Sequence, residues 1–132
     1  CKLIIERRTI PNETPETVQS EIQAILDEIS KTDPDFTASV NITLSRSPFG
    51  VDVNEPIVQL LRQKAQDTLK RDVSLIGTTF WMDAALFSEH SIPTAVLGPH
   101  GEGAHAKVEW VDLESVQQCV DIYMAVIGEF CK

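Results

Sequence analysis

The sequence predicts an α/β fold built in two parts, and three observations carry that reading. Apolar residues recur at helical spacing in several windows. Runs of strand length, rich in β-branched residues, lie between those windows. The order of elements also changes along the chain, from strand–helix–strand in the first part to alternating helix and strand in the second. The turn-rich stretch "SPFGVDVN", with Pro48 and Gly50, separates the two parts and places a boundary between residues 1–51 and 52–132.

The elements follow in order. "KLIIERR" reads as a short β-branched strand, ended by the turn chemistry of "PNET". In "TPETVQSEIQAILDEIS", Thr14 suits an N-cap and Pro15 the first helical position. Val18, Ile22, Ile25, Leu26 and Ile29 make one apolar stripe on that helix, and "TDPD" ends it. "ASVNITLSR" alternates, with Val40, Ile42 and Leu44 on one face and Asn41, Thr43 and Ser45 on the other, as a half-buried strand does. Asn54 is expected to cap a second helix, whose stripe is Ile57 or Val58, Leu61, Ala65 and Leu69. "VSLIG" reads as a short strand, and "TTFWMDAALFSEH" as a loop entering a short helix. "IPTAVLG" reads as an apolar strand buried on both faces. A glycine loop follows. Asp112 then caps a final helix with Leu113, Val116, Val120, Tyr123, Ile127 and Phe130 on one face, a stripe that needs a surface to cover it.

The net charge of −9 argues against a nucleic-acid partner and against anionic membranes. No apolar run approaches membrane-spanning length, and no signal-peptide pattern is present. The three cysteines are odd in number. Cys119 and Cys131 fall about 18 Å apart along one helix and cannot pair within it. A reducing, cytoplasmic setting is therefore expected. The chain opens on "CKLIIERR", without an initiator Met and, on this reading, already inside a strand, as a segment of a longer polypeptide would.

His105 is the leading candidate for chemistry. It stands in "GPHGEGAHAKVEW" after Gly101, Gly103 and Ala104, so nothing bulky shields it locally. A loop between a buried strand and a helix lies at the strand's carboxyl end, where open α/β sheets bind ligands. A neutral imidazole there suits a metal ligand or an acid–base group. The plain alternative is an exposed loop histidine, because one histidine makes no metal site. His100 reads as solvated, and His90 as the cap of the short helix. Arg7, Arg8 and Arg46 are the cationic candidates. Arg8 and Arg46 end strands, and a guanidinium fork there suits a substrate carboxylate; surface pairing with the many acidic residues is the alternative. Asp83, in "FWMDAAL", reads either as an N-cap or as a substrate-orienting group. Glu109, four residues after His105, reads either as a partner that orients the imidazole or as a solvated glutamate.

Three stretches, in order, carry a family resemblance. "ERRTIPNETPETV" resembles the "D-R-R-t-l-P-g-E" segment of the aminoacylase, acetylornithine deacetylase and succinyl-diaminopimelate desuccinylase family. "FWMDAALFSEHSIPTAVLGP" is similar to its "t-D-a-x-x-l-x-x-x-g-I-P-t-v-x-x-G-P". "GEGAHAKVEWVDLESV" is similar to its "G-x-x-H-x-x-x-E-w/y-V-x-i-x-s". The resemblance covers nearly the whole chain. It implies cocatalytic metal hydrolases, with two zinc ions or with cobalt or manganese instead, which cleave N-acyl amino acids or small peptides. It also implies that residues 1–51 are half of a ferredoxin-like α+β lid domain that forms a homodimer, and that residues 52–132 are the C-terminal helix–strand part of the zinc-hydrolase catalytic domain. By the same resemblance His105 is a metal ligand, Glu109 its acidic neighbour and Arg46 a substrate-binding residue; Asp83 joins Arg46 as a substrate-binding candidate from its own position. The family's His-x-Asp ligands and Glu-Glu general base have no counterpart here. The resemblance therefore implies a missing N-terminal portion and a chain inactive by itself. A non-catalytic dimerisation or binding module of the same family is the alternative.

Overall fold

Thr14 starts the first helix, α1 (Pro15–Thr32), in an extended conformation, its Oγ1 accepting the Thr17 N–H at 3.2 Å. This is the cap the sequence predicts, with Pro15 at the first helical position. The computed structural model describes residues 1–132, which divide into two units, Cys1–Gly50 and Val51–Lys132.

In the first unit, α1 ends where Pro34 forbids a further turn: the Asp33 N–H still reaches the Ile29 carbonyl, and Asp33 Oδ1 accepts the Asp35 N–H at 3.1 Å. Val18 is its buried residue. The segment before α1 is held by Arg7, whose fork reaches Glu13 at 2.5 Å and Glu21 at 2.7 Å. Glu13 also accepts the Ile10 N–H, which closes the turn in which Asn12 takes a left-handed φ of 79°. Those donors, the Ile10 N–H first and Arg7 second, hold the Glu13 carboxyl below the usual glutamate range.

The second unit contains α2 (Pro56–Leu69), α3 (Ala84–Glu89), β1 (Gly101–Glu102), β2 (Trp110–Val111) and α4 (Leu113–Phe130). Its core lies where α2 meets α4. Ala65 and Ile122 are each 1 % exposed there, Val126 packs beside them, and Leu61, Leu69, Val73 and Leu97 surround them. Lys64 and Glu129 join the two helices at 2.6 Å. No helix is long and apolar enough to cross a membrane.

Several expectations need correction. Asn54 does not cap α2; Glu55 stands at the N-cap without a side-chain cap bond. Pro56 at the start of the helix fixes that register, and Asn54 instead donates its backbone N–H to Asp52 Oδ1 at 2.8 Å in a turn. On α4 the inward residues are Cys119, Ile122 and Val126, whereas Leu113 is 78 % exposed and Val116, Val120, Tyr123, Ile127 and Phe130 are exposed as well. The helix is apolar around most of its circumference, so periodicity left open which face α2 would cover.

The four expected strands, "KLIIERR", "ASVNITLSR", "VSLIG" and "IPTAVLG", do not form; the sheet is the two-stranded antiparallel β1–β2 alone. A strand is defined by a ladder of backbone hydrogen bonds to a neighbouring strand, and these segments form no such ladder. The carbonyls of Val73 and Leu97 are used by side chains instead, by Arg62 Nε at 3.0 Å and by the Tyr123 hydroxyl. The expected buried faces are correspondingly open. Leu44 and Ile42 are exposed, and "IPTAVLG" is not buried on both sides, with Ile92 and Val96 exposed. The architecture is thus mixed, dominated by helix with one small sheet.

Candidate functional site

The glycine loop is a hairpin. β1 and β2 pair with Gly101 opposite Val111 and Glu102 opposite Trp110. Its base is fixed at His100. The His100 N–H donates to Ser115 Oγ at 2.9 Å, and the His100 carbonyl accepts the Asp112 N–H at 2.9 Å. The His100 ring meets Trp110 edge-on, with centroids 5.4 Å apart. Asp112 caps α4 by accepting the Ser115 N–H at 3.0 Å, as the sequence predicts, and Ser115 Oγ donates to the Asp112 carbonyl. One side chain, Ser115, therefore ties the helix start to the hairpin base. His100 is exposed, as the sequence reading expects, while its backbone and its ring contact with Trp110 hold it at the hairpin base. The spacing "DLES", a cap residue followed three positions later by a hydroxyl, was the available signal for Ser115; nothing in the sequence announces the His100–Trp110 pair.

The tip of the hairpin carries His105. The Ala106 N–H donates to the Gly103 carbonyl at 2.8 Å, closing a turn whose third residue is His105. His105 has φ 65° there and Gly103 has φ 80°. A positive φ at that place belongs to a type II turn and normally selects glycine or asparagine. His105 is exposed, so its imidazole stands clear of the hairpin.

The other candidates are placed as follows. Glu109 lies on the returning arm of the same loop, exposed, with no hydrogen bond to His105. Asp83 stands at the N-cap position of α3, but its side chain makes no cap bond there. It is exposed, while Ala84 and Ala85 behind it are buried. His90 ends α3, its Nδ1 within 2.9 Å of the Leu86 carbonyl, as expected of a cap. Arg46 belongs to the first unit, where Nη1 donates to the Ser45 carbonyl at 3.0 Å. Arg7 and Arg8 are ion-paired with glutamates, which takes the surface-pairing alternative for both. All three cysteines are free thiols, and burial pushes the Cys119 thiol up, away from nucleophilic use. No three His, Cys, Asp or Glu side chains converge closely enough to hold a metal ion. What this chain supplies is one exposed imidazole on a clamped hairpin, with carboxylates nearby in sequence.

Comparison with known proteins adds to this geometry. A sequence model described as peptidase family M20/M25/M40 matches residues 2–129. Among curated proteins, the acetylornithine deacetylase of Myxococcus xanthus is 24 % identical over 132 residues, covering 99 % of this chain and 33 % of the relative. The chain thus spans about a third of the length of that relative. No solved structure matches it.

Proposed function

The chain belongs to peptidase family M20/M25/M40, and on that footing we propose that it is the C-terminal portion of a metal-dependent amidohydrolase. The proposed substrates are N-acyl amino acids or small peptides, cleaved in a deacetylase- or desuccinylase-like reaction. The observation that carries the reading is the presentation of His105, at the tip of a hairpin clamped at its base, inside the family-matched region. The likeness to an acetylornithine deacetylase supports the substrate class.

The residues present do not by themselves fit a metal centre. Structural and catalytic zinc sites take about four ligands, three or more from protein, and no such group converges here. In the proposed enzyme the remaining ligands and the general base come from a portion outside these residues. His105 contributes one imidazole, and Glu109 orients it. Arg46 and Asp83 hold the substrate, the arginine through its carboxylate. Residues 1–51 form part of a lid that dimerises, and residues 52–132 part of the catalytic domain. Zinc is the proposed metal, with cobalt or manganese as substitutes, and the compartment is the cytoplasm.

A second reading, a non-catalytic binding or dimerisation module, draws on the same absence of a ligand cluster and on the apolar surface the chain leaves open. The test is hydrolysis of a panel of N-acetyl and N-succinyl amino acids by the full-length protein, before and after chelation, beside the chain of residues 1–132. The proposal expects turnover by the full-length protein, its loss on chelation, and none from the shorter chain. A full-length protein that binds these compounds without hydrolysing them would establish the second reading instead.

A further inference from the structure

We propose that Gly103 is a positioning residue for His105: its missing side chain lets the hairpin arms close and fixes the turn that bears the imidazole. This rests on the functional reading of His105 given above.

Two separate features of Gly103 exclude a side chain. Its φ of 80° lies where L-residues are strained. A Cβ placed on it would also overlap the Val108 carbonyl oxygen and stand 3.2 Å from Glu109 Cα. Both obstacles are backbone, so no rotamer change relieves them; only parting of the arms does. Gly101, two residues earlier on the same arm, would likewise drive a Cβ into the Trp110 carbonyl oxygen. The property is local to the hairpin, because Gly77 and Gly98 have nothing within 4 Å of such an atom.

Gly103 works at both ends of the problem. The space its side chain would fill is occupied by the returning arm, and its carbonyl accepts the Ala106 N–H that closes the turn around His105. The base is already fixed by His100, Ser115 and Asp112. A methyl at residue 103 therefore cannot be absorbed by moving the base; it displaces the tip. Misplacing a reacting group by about 1 Å costs on the order of 100-fold in rate.

The experiment uses the full-length protein with histidine and tryptophan selectively labelled. Gly103→Ala is compared with Gly98→Ala, with His105→Ala, and with semisynthetic protein carrying D-alanine at residue 103. D-Alanine favours positive φ and projects its methyl from the other side of Cα. The wild-type protein should show the strong intraresidue amide–Hα NOE of a left-handed His105 and cross-strand NOEs between Glu102 and Trp110. Gly103→Ala should lose both and drop kcat on the order of 100-fold with little change in KM. Gly98→Ala should match wild type, and D-alanine should restore the NOEs and the rate. If Gly103→Ala does not fold, the D-alanine protein decides: wild-type NOEs and rate support the proposal, and a displaced, slow His105 contradicts it. Full activity in Gly103→Ala beside an inactive His105→Ala overturns this proposal alone. Full activity in His105→Ala overturns the functional reading and this inference with it.

Discussion

His105 takes a backbone conformation that costs an L-residue on the order of 1 kcal/mol, at a turn position where glycine would fit freely. Strain of this kind gathers at functional positions, because the side chain is needed where the backbone would choose otherwise. Stability and activity should therefore separate at this residue. His105→Gly is expected to leave the urea midpoint of the protein unchanged or slightly raised, the relief of the left-handed φ offsetting a glycine entropy cost of about 0.5–1 kcal/mol. His105→Val, with a β-branched side chain at positive φ, should lower stability by more than about 1 kcal/mol. Both should abolish turnover in the full-length protein. A His105→Gly protein that is markedly less stable would show that the imidazole makes contacts the exposed tip does not display. The exposed loop position of His105 was legible in the sequence because the glycines around it are a local signal. The holding of His100 by Ser115 and Trp110 was not, since it depends on where the hairpin lands relative to α4.

At the scale of elements, the α2–α4 pairing holds the second unit, and Ile122 is its one large side chain that is fully buried. Ile122→Ala should destabilise the protein by about 2–5 kcal/mol, read from urea unfolding. Thr14→Ala, which removes the α1 cap, should cost about 1 kcal/mol. The Lys64–Glu129 bridge gives a signed pH dependence. Its hydrogen bond to Lys64 holds the Glu129 carboxyl below the usual range, and the same bond holds the Lys64 ammonium above its own. Because Glu129 is depressed, its contribution is present above the unfolded glutamate pKa, about 4.3, and is lost as pH falls through the lower folded value. Because Lys64 is raised, its contribution is present below the unfolded lysine pKa, about 10.4, and is lost as pH rises through the higher folded value. Lys64→Met should flatten the stability–pH curve at both ends; an unchanged curve would mean the bridge contributes nothing in solution.

The same scale shows what sequence can and cannot resolve. The start of α1 at Thr14–Pro15 and of α4 at Asp112 were legible, because a cap and the residues it serves are three positions apart. The inward face of α4 was not, because Val116, Val120 and Ile127 are as apolar as Cys119, Ile122 and Val126, and only the position of α2 chooses between them. Strand propensity in "KLIIERR" and "IPTAVLG" is plain in composition, yet a ladder also needs a partner that no local pattern supplies.

At the scale of the whole molecule, the buried set is small beside the apolar surface left open. Ile4 is 79 % exposed, Ile76 83 % and Leu113 78 %, in three separate regions of the chain. Exposed apolar faces and unpaired strand edges seek cover. The chain of residues 1–132 is therefore expected to associate at micromolar concentration, with itself or with the remaining portion of the proposed enzyme. Its net charge of −9 should keep the assemblies soluble. Light scattering checks this; a monomer that unfolds cooperatively would show that these segments find partners within the chain.

The central claim, that this chain brings one metal-binding imidazole to a family hydrolase, is tested most directly by metal analysis of the purified full-length protein with and without His105→Ala. Turnover on an N-acyl amino acid is measured on the same samples, with His100→Ala as the comparison for a residue that holds the hairpin base. The account predicts that His105→Ala loses most turnover and binds metal more weakly at one site while its unfolding curve stays close to wild type. Near-normal turnover with the full metal complement retained would contradict it.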